Sequence, residues 1–459
     1  MSQTLSSSAT SDCADLRVTP RCAHSISRKN ISNGALRVLY RLNEAGYDAF
    51  LVGGAVRDLL LGGHPKDFDI ATNAEPEQVR ALFRNCRLIG RRFRLAHVMF
   101  GREIVEVATF RGVGEDGSGD RHMVAGRLIR DNVYGSIEED AIRRDFTVNA
   151  LYYNIADFSV RDYVGGMTDL ATRTLRMIGD PESRYREDPV RMLRAVRLAA
   201  KLDFAIAPET AAPLARIGHS LAEAPPARLF DETLKMFLAG DGLAGFHGLE
   251  RYGLLAEVFP ATARALRGPR AENFRALIEH TLASTDERAR AGRPVTAGFL
   301  FAALLWEPVR ALAESHIDDG SEANVAWTRA SASVAAEQSR RVAIPRRVVL
   351  GMEEIWELQP RFLQPTKKRV FRLLAHPRFR AAYDFLVLRA HESDELDKCV
   401  AWWTEAQQLD HETLAGCLTK STPEHADDNP APVRRKRPRR RRKRSAAGAR
   451  NAGGSGSGE

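Results

Sequence analysis

At 459 residues and 44% hydrophobic side chains, the chain has apolar material for about three packed domains, which excludes a largely disordered protein. Its five cysteines, Cys13, Cys22, Cys86, Cys399 and Cys417, form no CxxC pair and no zinc-spaced cluster; this argues against a disulfide framework and fits a reducing cytoplasm. The net charge of +9 is local: the ten basic side chains of Arg434–Arg444 exceed it and Arg450 cancels Glu459, so residues 1–433 sum to −1.

In chain order, residues 1–27 are Ser/Thr-rich without an apolar core and read as disordered, not as a signal peptide. Residues 28–166 read as an α/β unit with a mixed sheet. A helix starts near Asn30–Ser32, with Leu36, Leu39, Tyr40 and Leu42 at helical spacing, and Gly46 ends it. Phe50-Leu51-Val52 predicts a strand running through Gly53-Gly54 into a helix at Ala55–Leu61, and Phe68-Asp69-Ile70 begins the next strand. Strands follow at Leu95–Phe100 and Ile104–Phe110. Residues 112–127 are Gly- and charge-rich without periodicity, which predicts a mobile loop. A helix at Ile137–Arg144 and a strand at Asn149–Asn154 complete the unit.

Beyond it the pattern is helical almost throughout, giving an all-α neck over 167–260 and an all-α body over 261–417. The longest apolar stretch, Ala297–Trp306, is too short to span a bilayer. Residues 418–459 read as a disordered tail, since a block of one sign repels itself; its dense cations suit a polyanion such as RNA.

The strongest chemical signal is Gly53-Gly54-x-x-Arg57-Asp58 followed by Asp67-Phe68-Asp69. On a strand, residues i and i+2 share a face, so Asp67 and Asp69 should aim two carboxylates at one point while Phe68 turns inward. Such pairs favour Mg²⁺, which binds one or two acids plus substrate phosphates. The glycines let a triphosphate approach the backbone, and Arg57 adds a charge-assisted donor.

These residues resemble the nucleotidyltransferase head shared by bacterial poly(A) polymerases and class II CCA-adding tRNA nucleotidyltransferases, and the similarity runs through most of residues 50–260. Glu106, in Val105-Glu106-Val107, stands where the wider superfamily has a third metal-facing acid. Arg143-Arg144-Asp145-Phe146-Thr147-Val148-Asn149-Ala150 is similar to the RRDFTxNA motif. It implies Asp145 as a third catalytic acid beside Asp67 and Asp69, with Arg144 and Asn149 at the nucleotide; the plainer alternative for Asp145 is an Arg–Asp pair fixing the strand entrance. Asp162–Leu170 resembles a glycine hinge. Glu187–Arg197 resembles EDxxRxxRxxR, in which Asp188 and Arg191 read the incoming base; Arg194 and Arg197 continue the stripe, and Asp188 also looks like a helix N-cap.

The resemblance implies addition of AMP from ATP to RNA 3′ ends by two Mg²⁺ ions, with RNA-decay machinery as a partner; nothing specifies an oligomeric state. Leu88–Val98, with its Gly90-Arg91-Arg92-Phe93 core, and the arginine run favour adenylate addition. CCA addition is the alternative, and a non-catalytic RNA-binding scaffold the more distant one. His97, set between apolar residues, reads as a hydrogen-bonded core histidine and not as a catalyst.

Overall fold

A computed structural model describes residues 16–90, 94–112, 121–124, 127–131 and 133–420. The head contains β1 (Arg17–Thr19), α1 (Asn33–Glu44), β2 (Ala49–Val52), α2 (Gly54–Leu60), β3 (Asp69–Thr72), α3 (Pro76–Leu82), β4 (Cys86–Ile89), β5 (Leu95–Phe100), β6 (Glu103–Thr109), β7 (Arg121–Val124), β8 (Arg127–Asp131), α4 (Ile137–Arg143), β9 (Leu151–Asn154), β10 (Val160–Asp162) and α5 (Gly166–Ala171). One eight-stranded sheet runs β1-β10-β9-β2-β3-β6-β5-β4; β3 and β6 are parallel and the other pairings antiparallel.

Burial explains which strands are central. All four residues of β2 and of β9 are buried, so these read as continuous apolar runs without alternation. Alternate side chains feed two layers. Leu51, Ile70, Val105 and Val107 join the large core that α1 covers with Ala35, Val38, Leu39 and Leu42, one helical stripe started by the Ser32 N-cap. Phe50, Val52, Ala71 and Tyr152 point the other way, toward Ala141 of α4.

Three expectations change. Residues 16–27 are not wholly unstructured, because β1 pairs with β10 at the sheet edge. The segment over 112–127 contains β7, paired with β8 in a two-stranded ribbon, while 113–120 lie outside the described residues. The strand after the first helix pair starts at Asp69, leaving Asp67 in the preceding bend.

After a short strand β11 (Thr174–Leu175) come α6 (Pro181–Glu187), α7 (Val190–Leu202), β12 (Ala205–Ile206) parallel to β11, α8 (Pro208–Ile217), α9 (Pro226–Phe237), α10 (Gly242–Arg251), α11 (Leu255–Val258) and α12 (Pro260–Ala265). The body follows as α13 (Ala271–Arg290), α14 (Ala297–Leu304), α15 (Trp306–Asp318), α16 (Ala323–Val342), α17 (Arg346–Phe362), α18 (Lys367–Leu374), α19 (Phe379–Leu388) and α20 (Asp394–Ala406). The chain through Leu409 is one compact unit; α21 (His411–Lys420) belongs to a second, so residues 418–420 are helical and not part of a disordered tail. Among the described residues, no helix is long and apolar enough to cross a membrane. The Arg434–Arg444 run and Arg91-Arg92-Phe93 lie outside the described residues.

Candidate active site

The sheet register builds the site. Val52 lies opposite Tyr152 on one side and Asp69 on the other; Asp69 lies opposite Glu106, and Glu106 opposite His97. One row thus crosses β9, β2, β3, β6 and β5, on the face away from α1. Neighbours on adjacent strands sit about 5 Å apart, so this register places Glu106 beside Asp69. His97 Nε2 is 3.2 Å from Glu106 Oε1, so this partly buried histidine is hydrogen-bonded and its partner is an acid of this row.

Asp67 and Asp69 both line a cleft of about 800 Å³, while Phe68 is buried. Asp67 lies two residues before the strand that Asp69 opens, and both line the same cleft. Asp69 faces the cleft, yet its carboxyl is pushed up to about 6 by desolvation first, then by Glu106 and Asp67, against the pull of Arg144. Burial is the largest of these causes and the neighbouring acids add to it, so a bound cation would favour the ionised form. No three acids or histidines among the described residues close into a metal cage. Mg²⁺ does not need one, because it keeps waters and shares its shell with phosphates. Asp67 and Asp69, which line the cleft, and Glu106, beside Asp69 in the register, are the acids that could take part in such a shell.

The glycines border the same point. Gly53 has φ +76°, a left-handed conformation that favours glycine, and a Cβ there would stand 3.7 Å from Asp69 Oδ2 and 3.9 Å from Arg144 Nη1. Gly54 opens α2 and lines the cleft. Arg144 is aimed at this corner by a buried network: its Nε donates to Tyr152 Oη (2.9 Å), its Nη2 to Asp140 Oδ2 (2.8 Å), and Tyr152 Oη donates to the same oxygen (2.7 Å). Asp140 and Tyr152 carried no sequence signal, as neither belongs to a motif.

Other expected contacts are already engaged. Arg57 is 3% exposed; it donates from Nε to Asp58 Oδ1 (2.8 Å) and from Nη1 to Asn149 Oδ1 (2.5 Å). Arg57 and Asn149 thus brace the glycine turn against the RRDFTxNA segment, and Lys201 of α7 ties on through Asp58 Oδ2 (3.2 Å). Asp145 accepts from the Phe146 N–H (2.8 Å) and Asn149 Nδ2 (3.3 Å), with Arg194 Nη2 at 2.9 Å. Desolvation acts upward on this carboxyl, but Arg194, Asn149 and the Phe146 N–H hold it below the ordinary value. Its cation partner comes from α7, 49 residues on, and not from the adjacent Arg144.

At the break between α6 and α7, Asp188 does not cap α7 with its side chain; its two oxygens each accept from Arg228 at 2.8 Å. Arg191 donates to Glu187 Oε2 (2.6 Å) and Arg184 O (2.9 Å), and Arg197 to Glu232 (2.8 Å). The arginine stripe is therefore a set of ion pairs, each to a different acid. At the expected hinge, Asp162 accepts four consecutive N–H groups, Val164 to Met167, at 2.9–3.1 Å. Gly165–Gly166 is a pinned turn. Sequence reading missed the cleft cations Lys66, Lys201 and Arg293, which come from separate elements.

Residues 49–176 match the family model of the poly A polymerase head domain. Residues 203–266 match a probable RNA and SrmB-binding site of polymerase A, and 319–444 a polymerase A arginine-rich C-terminus. Poly(A) polymerase I of Salmonella typhi is 51% identical over 428 residues, covering 92% of this chain and 91% of that protein. A CCA-adding enzyme of Lactobacillus gasseri is 37% identical over 228 residues, 50% of this chain and 56% of its own. The solved Thermotoga maritima CCA-adding enzyme complexed with tRNA is 18% identical and has a TM-score of 0.58, with 85% of this chain and 86% of that one covered; this is a likeness of fold.

Proposed function

The chain belongs to the bacterial poly(A) polymerase I family and adds adenylates to RNA 3′ ends without a template, and we propose that it does so at the Asp67–Asp69 corner of the cleft, with Glu106 beside Asp69 in the sheet. The observation that carries the adenylate assignment is the identity of 51% across 92% of the chain, against a CCA-adding relative that matches only half of it.

In the proposed reaction the RNA 3′-oxygen forms a bond to the α-phosphorus of ATP while the bond to pyrophosphate breaks. Divalent ions, when bound, supply charge for the attacking and departing oxygens. Asp67, Asp69 and Glu106 hold and orient that charge. The Gly53–Gly54 turn gives phosphate oxygens close access to the backbone, and Arg144, fixed by Asp140 and Tyr152, presents Nη1 to them. Arg57, Asn149 and Asp145 act as a brace under the turn. Asp188 and Arg191 select the base, exchanging one partner from Arg228 or Glu187 for a base edge. The reading includes RNA contact over 203–266, Mg²⁺ as the metal, a bacterial cytoplasm and RNA-decay partners.

Its test is nucleotide choice. With Mg²⁺ and an unstructured RNA primer, ATP alone should give long extension. On a tRNA lacking its terminal CCA, CTP should be a poor substrate; efficient addition of two cytidylates and one adenylate would overturn the assignment.

A further inference from the structure

Residues 358–383 contain seven Lys and Arg and no acid, the most lopsided stretch of the described chain in charge. In the fold they become a groove of about 480 Å³ between the end of α17 and α18, lined by Arg361, Lys368, Arg369, Arg372 and His376. Val370 and Leu373 anchor α18 to the body, which leaves Lys368 and Arg372 exposed on its other side. Several body arginines sit in ion pairs, such as Arg310 with Glu307, Arg341 with Glu257 and Arg389 with Glu392. Arg361, Lys368 and Arg372 form no ion pair with an acid among the described residues, and Arg369 bonds only to neutral Gln364. Concentrated, unneutralised cations lining a concavity favour a polyanion.

The groove is one of three neighbouring cavities. The loop over 292–296 supplies Pro294 and Val295 to both the catalytic cleft and a second cavity of about 490 Å³. That second cavity reaches Pro377 and Arg378, next to His376 of the basic groove. Cations recur along the way, with Lys66 and Arg293 in the cleft, Arg288 in the middle cavity, where Arg378 is paired with Glu354 and Arg380 with Asp384, and the α18 set at the far end.

We propose that the α17–α18 groove binds the sugar–phosphate backbone of single-stranded RNA several nucleotides upstream of the 3′ end, so that a long primer is held at a second point while its end is extended. The inference rests on the RNA-extending function proposed above. Such a contact reads no sequence, because phosphates carry none.

The test uses the full chain carrying Lys368→Gln with Arg372→Gln, two exposed positions, and Arg37→Gln with Arg41→Gln on α1 as an equal loss of charge elsewhere. For an RNA of about thirty nucleotides, measured by anisotropy without ATP, the groove variant should bind about tenfold more weakly, with a salt slope shallower by about 1.4. The α1 variant should bind as the parent does. A tetranucleotide primer, too short to reach the groove, should keep its KM in both variants. Unchanged affinity and slope for the long RNA, or an equal loss in both variants, would overturn the proposal. Loss of binding to an acidic peptide with RNA affinity intact would assign the groove to a protein partner and overturn it too. Failure of the parent to extend any primer with ATP would count against the function above, while the binding arm would still decide the groove.

Discussion

Asp69 has an ordinary carboxyl pKa of 3.8 in the unfolded chain and about 6 in the fold. The folded state therefore binds this proton more tightly, and the metal-free protein loses stability as pH rises from about 4 to about 6, the penalty being complete above that. Asp69→Asn should raise the Tm of metal-free protein at about pH 7 and leave it unchanged near pH 4. Mg²⁺ should raise the Tm of the parent and have little effect on the variant. A variant no more stable than the parent at neutral pH would contradict the raised carboxyl of Asp69. Buried Asp140 has the opposite sign. Desolvation pushes its carboxyl up, but Arg144 and Tyr152 bring it below the ordinary value, so its contribution is present above the unfolded pKa and lost as pH falls through the folded one. Asp140→Asn leaves the Arg144 cation without its counter-charge and should cost about 3–5 kcal/mol in urea unfolding. A loss below about 1 kcal/mol would contradict the aiming network. At this scale the sequence exposed the motif residues, because Gly53-Gly54, Arg57, Asp67, Asp69 and Asp145 lie in short local patterns. It did not expose their partners. Arg228 lies 40 residues from Asp188 and Lys201 143 from Asp58, separations that only packing closes.

Among the elements, the parallel β3–β6 pair has the most consequence, since its register sets Glu106 beside Asp69. Glu106 was legible as an acid in a β-branched strand. For its row neighbour His97 a hydrogen bond was legible but not the partner, because alternation alone does not say which face of β5 holds the acids. The next most consequential element is the turn before α5. A Cβ on Gly166 would collide with the Thr147 carbonyl oxygen and approach Leu151, so Gly166→Ala should destabilise the head by about 1–3 kcal/mol. At Gly165 there is open space, and only the φ of +82° opposes a side chain, so Gly165→Ala should cost about 1–2 kcal/mol. Equal tolerance at both positions, with unchanged melting, would speak against a pinned turn. Two glycines in a row suggested freedom in the sequence; the four N–H groups gathered by Asp162 show why there is little.

Across the whole molecule, composition and helical periodicity were enough to separate the α/β head from the helical remainder, because each segment buries a face of the expected period. The compact unit extending to Leu409 was not legible as such, since the core shared by head and neck, with Phe146 and Val148 beside Met177 and Tyr185, and pairs such as Arg194 with Asp145 join residues far apart in sequence. The pairs of Arg194 with Asp145 and of Lys201 with Asp58 join α7 to the residues that brace the glycine turn. The cleft lined by Lys201 and Asp58 has walls from both head and body, among them Asp67 and Asp69 from the head and Arg293 from the body. The account stands on those acids acting as a metal-holding set in adenylate transfer. The most direct measurement is single-turnover extension of an RNA primer with ATP and Mg²⁺ by the parent, Asp67→Asn and Asp69→Asn, each checked for folding by its melting curve. The account predicts that both folded variants lose about 100-fold or more in rate. A folded variant that extends the primer near the parental rate would contradict it.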